Sequence, residues 1–135
     1  VVMEDYSIMQ IVQILIGAFL GVAMVQSGVD KIMDWKGNRS WLETHFSKSF
    51  LAPFVTPMLG TVLVLETVGG LLLLFGAGNG LIYGNTYYVL CGLLVIAINL
   101  LALFFGQRIA KDYEGAAVLV NYFILTIIGL LTFHN

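Results

Sequence analysis

A single carboxylate interrupts the most apolar stretch of this chain. Glu66 lies nine residues after Pro57 and ten before Gly76, with no other charged side chain between Lys48 and Arg108. An acidic group in the middle of a membrane-crossing helix costs about 2.5–3.5 kcal/mol on insertion scales, so it must face the bundle interior and be paired or protonated. Two kinds of chemistry fit it. One is a neutral carboxyl that ties helices together through a hydrogen bond, worth ~0.6 kcal/mol on average. The other is a working carboxyl that binds a ligand headgroup or relays a proton.

Other polar residues share its end of the membrane. Asn99 precedes Phe105 by six residues and Asn121 follows Gly115 by six, which puts both about 9 Å inside one face at the helical rise. Gln26, Ser27 and Lys31 approach from that side, and Tyr122 adjoins Asn121. Depth alone therefore predicts a cavity open to that face, with Glu66 at its floor and Asn99, Asn121, Tyr122, Gln26 and Lys31 around it. Each amide also has a plain structural use as interhelical glue. Toward the other face the spans read AFLG, LLLLF and IIGLL, and no comparable polar set is expected there.

These residues need helices to carry them. Tyr6 to Val29 is a run of 24 uncharged residues, and Thr67 to Gln107 is one of 41. The second is too long for one crossing, and Gly76-Ala77-Gly78-Asn79-Gly80 supplies the backbone freedom of a turn. The predicted spans are 8–30, 57–75, 81–105 and 116–133. All are helical, since lipid leaves an open chain no other way to pair its backbone. The first segment lacks the basic n-region and short apolar core of a signal peptide. The chain opens on Val1 rather than Met, which leaves room for residues upstream.

Composition agrees with a membrane-embedded, all-α four-helix bundle. Of 135 residues 59% are hydrophobic and 10% charged, against about 25% charged in ordinary globular domains, and the mean hydropathy is +0.95. Six basic against eight acidic residues give a net charge of −2, the wrong sign for a nucleic-acid partner. The single cysteine, Cys91, excludes an internal disulfide and a thiolate metal cage, and its apolar neighbourhood reads as an inert thiol. His45 and His134 fall on opposite sides of the membrane, so neither a haem held within one chain nor a metal site is expected.

The first connector has structure of its own. Ser40-Trp41-Leu42-Glu43 reads as a capping box, and Leu42, Phe46 and Phe50 recur every four residues. This predicts a short amphipathic helix over 41–51, lying in the headgroup region with Trp35 and Trp41 as anchors, or packed as a lid on the bundle end. Lys31, Lys36, Arg39 and Lys48 lie in or beside this connector, and Arg108 and Lys111 in the third. The positive-inside rule therefore places connectors one and three in the cytoplasm and both termini outside. Gly17 and Gly21 form a small-xxx-small face, and Gly69-Gly70 sit one turn beyond Glu66; close helix packing is the default meaning of both, and the second pair also leaves room for a ligand beside the carboxyl.

Gly28-Val29-Asp30-Lys31 at the exit of the first span, followed by Glu66-Thr67-Val68-Gly69-Gly70-Leu71-Leu72-Leu73-Leu74-Phe75-Gly76 in the second, resembles the DoxX family. The stretches WLETHFSKSFLAPF and FGQRIAKDYEGAAVLVNYF are similar to a bacterial DoxX-like subgroup, and the likeness runs from about Ile11 to Leu131. The resemblance implies a four-helix protein of the bacterial inner membrane, of the kind that includes the small subunit of thiosulfate:quinone oxidoreductase and membrane partners of soluble redox enzymes. It matches Lys31 and Glu66 to the family's recurring charged residues. The expected function is an accessory or quinone-proximal subunit of a membrane redox complex, without an intrinsic cofactor but able to hold a quinone or lipid. The alternatives are a small proton-coupled transporter acting as a dimer, and a ligand-free scaffold subunit. Partners would be membrane lipid and other subunits or a second copy of the chain.

Overall fold

The computed structural model describes residues 8–47, 49 and 52–133. Lys48, Phe50, His134 and the side chain of His45 lie outside the described residues. Four helices are long and apolar enough to cross a membrane: α1 (Ile8–Met33), α3 (Val55–Tyr83), α4 (Tyr87–Ile109) and α5 (Tyr113–Leu131). A shorter helix, α2 (Trp35–Phe46), and a 3₁₀ turn (Ala52–Phe54) fill the first connector. The chain is thus an all-α four-helix bundle with one short extra helix, and it reads as an integral, multi-pass membrane protein.

Glycine sets how the long helices meet. A methyl group on Gly21 would sit 2.8 Å from the Leu74 side chain, and one on Gly70 would sit 3.0 Å from the Val25 backbone nitrogen. Gly28 meets Thr67 in the same way. Facing pairs therefore step down α1 as they step up α3, an antiparallel contact with near-touching backbones. Gly69 against Ile96, Leu73 against Gly92 and Gly76 against Val89 repeat the pattern between α3 and α4. Gly17 packs on Val89, and Gly129 on Leu93 and Ile16. The enclosed core is Ile16, Leu20, Met24, Leu73, Val89, Leu93, Ile96 and Leu100. The helices follow one another around the bundle in the order α1, α3, α4, α5, and α5 touches α1 much less than it touches α4.

Two local expectations are corrected. No turn forms at Gly76–Gly80: α3 continues to Tyr83, and the chain reverses at Gly84, whose φ of 76° is left-handed. In that run Gly76 and Gly80 are packing residues, since methyl groups there would meet the Val89 nitrogen at 2.5 Å and the Thr86 side chain at 2.8 Å. Inside a membrane the same residue that permits a turn also permits helix contact, and here contact prevails. The capping box does not form either. Asp34 caps α2 by accepting from the Gly37 amide at 3.2 Å, which starts the helix six residues earlier and leaves Ser40 inside it. Glu43 pairs instead with Arg39, at 2.9 Å.

The third connector is a tight helix stop. Asp112 N–H donates to the Gln107 carbonyl at 2.9 Å and Lys111 N–H to the Arg108 carbonyl at 3.1 Å, the paired bonds of a Schellman motif. It forces Lys111 to a φ of 62°, a conformation usually left to glycine. Asp112 then caps α5 by accepting from the Gly115 amide at 3.1 Å.

Candidate functional site

Ser27 and Lys31 are four residues apart, so they share one face of α1, and that face turns toward Glu66 of α3. Lys31 Nζ donates to Ser27 Oγ at 2.9 Å and to Glu66 Oε1 at 3.2 Å. Ser27 Oγ also donates to Glu66 Oε1, at 3.4 Å. The second carboxylate oxygen, Oε2, lies 3.2 Å from Lys31 Nζ in the ion pair, but the angle is not that of a hydrogen bond and Oε2 has no hydrogen-bond partner. The carboxylate side chain is 3% exposed and the lysine 19%. The long lysine stem therefore lets the ammonium reach a buried anion while staying partly open at the end of the helix.

The cluster lies in a cleft of about 330 Å³, near the lower end of the range for small-molecule sites. Every helix contributes to it. The walls come from Trp41, Leu42 and Phe46 of α2, Met58, Leu59 and Val62 of α3, Ala102, Leu103, Gly106 and Gln107 of α4, and Leu119 of α5. Asn38, Leu42 and Phe46 recur every four residues, with Trp41 beside them, so one face of α2 supplies its share. Phe46 is buried, and its ring tip lies 3.5 Å from the place of a Gly106 methyl. Thus α2 covers the end of the bundle and walls the cleft. The lining is mostly apolar, and its polar groups among the described residues are those of Ser27, Lys31, Asn38, Glu66 and Gln107 and the indole of Trp41.

The residues singled out by depth are distributed as follows. Lys31 and Glu66 meet in the cleft. Asn99 is fully buried in α4, and neither Oδ1 nor Nδ2 has a hydrogen-bond partner; it does not line the cleft but lies one turn below Ala102 and Leu103. Asn121 and Gln26 are exposed on the outside of the bundle. Asn121 and the half-buried Tyr122 border a shallow groove with Phe19 of α1 instead. Gly17, Gly21, Gly69 and Gly70 are all helix-contact positions. Asn38 and Gln107 belong to the cleft without having been singled out. For Gln107 the signal was available, because it lies one turn beyond Leu103 on the same helix face.

The expectation of an apolar far end is corrected as well. Gln13 is buried there; Thr86 Oγ1 donates to its Oε1 at 2.5 Å, and its Nε2 donates to the Thr132 carbonyl at 3.0 Å. Gln10 Nε2 donates to the Gly84 carbonyl at 2.9 Å. These bonds tie α1 to the α3–α4 turn and to the end of α5. Thr86, Thr132 and Gln10 sit at the ends of the spans and Gln13 five residues into α1, all beyond the apolar strings read from the sequence.

Among the described residues no three His, Cys, Asp or Glu side chains are grouped to hold a metal. Chemically the site offers ammonium and hydroxyl groups and one charge-paired carboxylate, at the end of an apolar slot. That arrangement suits a molecule with a polar, acceptor-bearing head and a greasy body. In comparisons with known proteins, the chain matches no family model, no curated protein and no solved structure.

Proposed function

We propose that this protein is a DoxX-like subunit of the bacterial inner membrane whose cleft takes the head of a membrane-dissolved quinone, accessory to a redox complex rather than itself catalytic. The observation that carries the reading is the Ser27–Lys31–Glu66 cluster at the polar end of an apolar cleft reached by all five helices. A lysine ammonium has three donors; two serve Ser27 and Glu66, and the third is free in number to meet a quinone carbonyl. Glu66 holds the ammonium in place, and Leu42, Phe46, Leu59 and Val62 surround the ring and the first part of a tail. A lipid headgroup offers the same acceptor oxygens and is the competing occupant. Lys36, Arg39, Arg108 and Lys111 are exposed at the same end and form the docking face for a soluble partner, on the cytoplasmic side by the positive-inside rule.

The test uses Trp41, which lines the cleft. In nanodiscs of neutral lipid, a short-chain quinone should quench tryptophan fluorescence saturably, and Trp41→Phe should remove most of that signal. Lys31→Met should weaken the apparent affinity by roughly tenfold, the loss of one charge-assisted hydrogen bond. Linear, non-saturating quenching that is the same in both variants overturns the reading. The buried ammonium–carboxylate pair also favours a second one, a proton-coupled transporter acting as a dimer. Proton release on substrate addition, abolished in Glu66→Gln, would select it.

A further inference from the structure

Asn99 has no place in the quinone reading, yet it is the most anomalous polar residue in the bundle. Its side chain is wholly buried, and both amide atoms lack partners. Buried amides in native proteins are paired with protein or with ordered water. Its position says which. Asn99, Ala102, Leu103 and Gly106 follow the three- and four-residue spacing of one helix face, and the last three line the cleft. Asn99 is the next step inward on that stripe. The α3–α4 register brings it level with Glu66, because Gly69 packs on Ile96 and Leu73 on Gly92. Glu66 also lines the cleft, and its Oε2 lacks a hydrogen-bond donor. An amide with no partner and a carboxylate oxygen held only by its ion pair to Lys31 thus lie at one level of the bundle, at the inner end of an open cleft.

We propose that Asn99 and Glu66 Oε2 form a water-binding site that extends the cleft into the bundle. Water donates to Oε2 and to Asn99 Oδ1 and accepts from Asn99 Nδ2, the two to four polar partners that a buried water takes. The Glu66 carboxylate, already paired with Lys31, then gains water as a further hydrogen-bond donor. The role of Asn99 is to position that water. The proposal does not depend on the identity of the cleft's ligand.

Hydroxyl-radical labelling with a short X-ray pulse, read by mass spectrometry on ligand-free protein in nanodiscs, tests it directly. Leu100 adjoins Asn99, whereas Leu20 is equally buried but lies next to Gly21 at the level of Leu74, more than two helical turns farther from the cleft. Labelling at Leu100 should exceed that at Leu20 at least fivefold, and Asn99→Leu should bring it down to the Leu20 level. Equal labelling of the two leucines in the unaltered protein overturns the proposal, and that comparison needs no variant to fold. Labelling at Leu100 that Asn99→Leu leaves unchanged overturns it too. Failed quinone binding with the fivefold ratio intact would remove the functional reading and leave this one standing.

Discussion

Gln13 and Asn99 are both buried amides in membrane-crossing helices, at opposite ends of the bundle. Gln13 uses both ends of its amide, accepting from Thr86 and donating to the Thr132 carbonyl. Asn99 uses neither. The end around Gln13 is closed by a short turn and joins three helices through saturated bonds, which is what polar groups do when they serve stability. The end around Asn99 is open, carries the Lys31–Glu66 pair and leaves polar valence unused, which is what polar groups do when something else completes them. Saturation, more than polarity or depth, separates the two roles.

The comparison can be broken most forcefully at the ion pair. Lys31→Met strands a buried carboxylate and should cost about 3 kcal/mol of stability in micelles. The double variant Lys31→Met/Glu66→Leu should recover most of that loss, and a double variant as unstable as the single would show that the pair is not the cause. At the closed end the sharpest test is steric. Gly76→Ala drives a methyl into the Val89 backbone and should cost about 1–3 kcal/mol. Gly78→Ala, two residues on and facing open space, should be neutral or gain up to ~1 kcal/mol. Thermal melts of the two side by side decide whether these glycines are contact residues or turn residues.

Gln13→Leu should come next, at about 1–2 kcal/mol, because it orphans Thr86. It should leave quinone quenching of Trp41 unchanged, and altered quenching would mean that the ends are coupled. The smallest effect belongs to the third connector. Lys111→Gly should relax the left-handed backbone and stabilise by about 1 kcal/mol, visible as a slightly higher Tm.

Much of the fold was legible because charge is so scarce: the uncharged runs locate four helices without any packing information. What failed was local. Gly76–Gly80 carries the composition of a turn, but glycine's small size serves helix contact equally well, and only the partner helix distinguishes the uses. Ser40 and Glu43 have capping-box spacing, but Asp34 caps first. For the site, Glu66 and Lys31 were legible because each is chemically conspicuous in apolar surroundings. Asn121 and Gln26 share their depth yet face outward, since depth along a helix says nothing about rotation around it. The polar clamp at Gln13 was missed because its members are ordinary residues separated widely in sequence.

The turn between α3 and α4 has a consequence for how the chain enters the bilayer. Only Gly84, Asn85 and Thr86 separate the two helices, and no charge occurs from Thr67 to Gln107. Such a short, uncharged tip can cross the lipid without a charge penalty, so the two helices are built to insert together as a hairpin rather than in sequence. Glu66 is the charge carried deep in the pair, Arg108 lying in the last turn of α4, and it stops beside a lysine that the first helix has already delivered. The order of synthesis thus brings the cation before the anion that needs it.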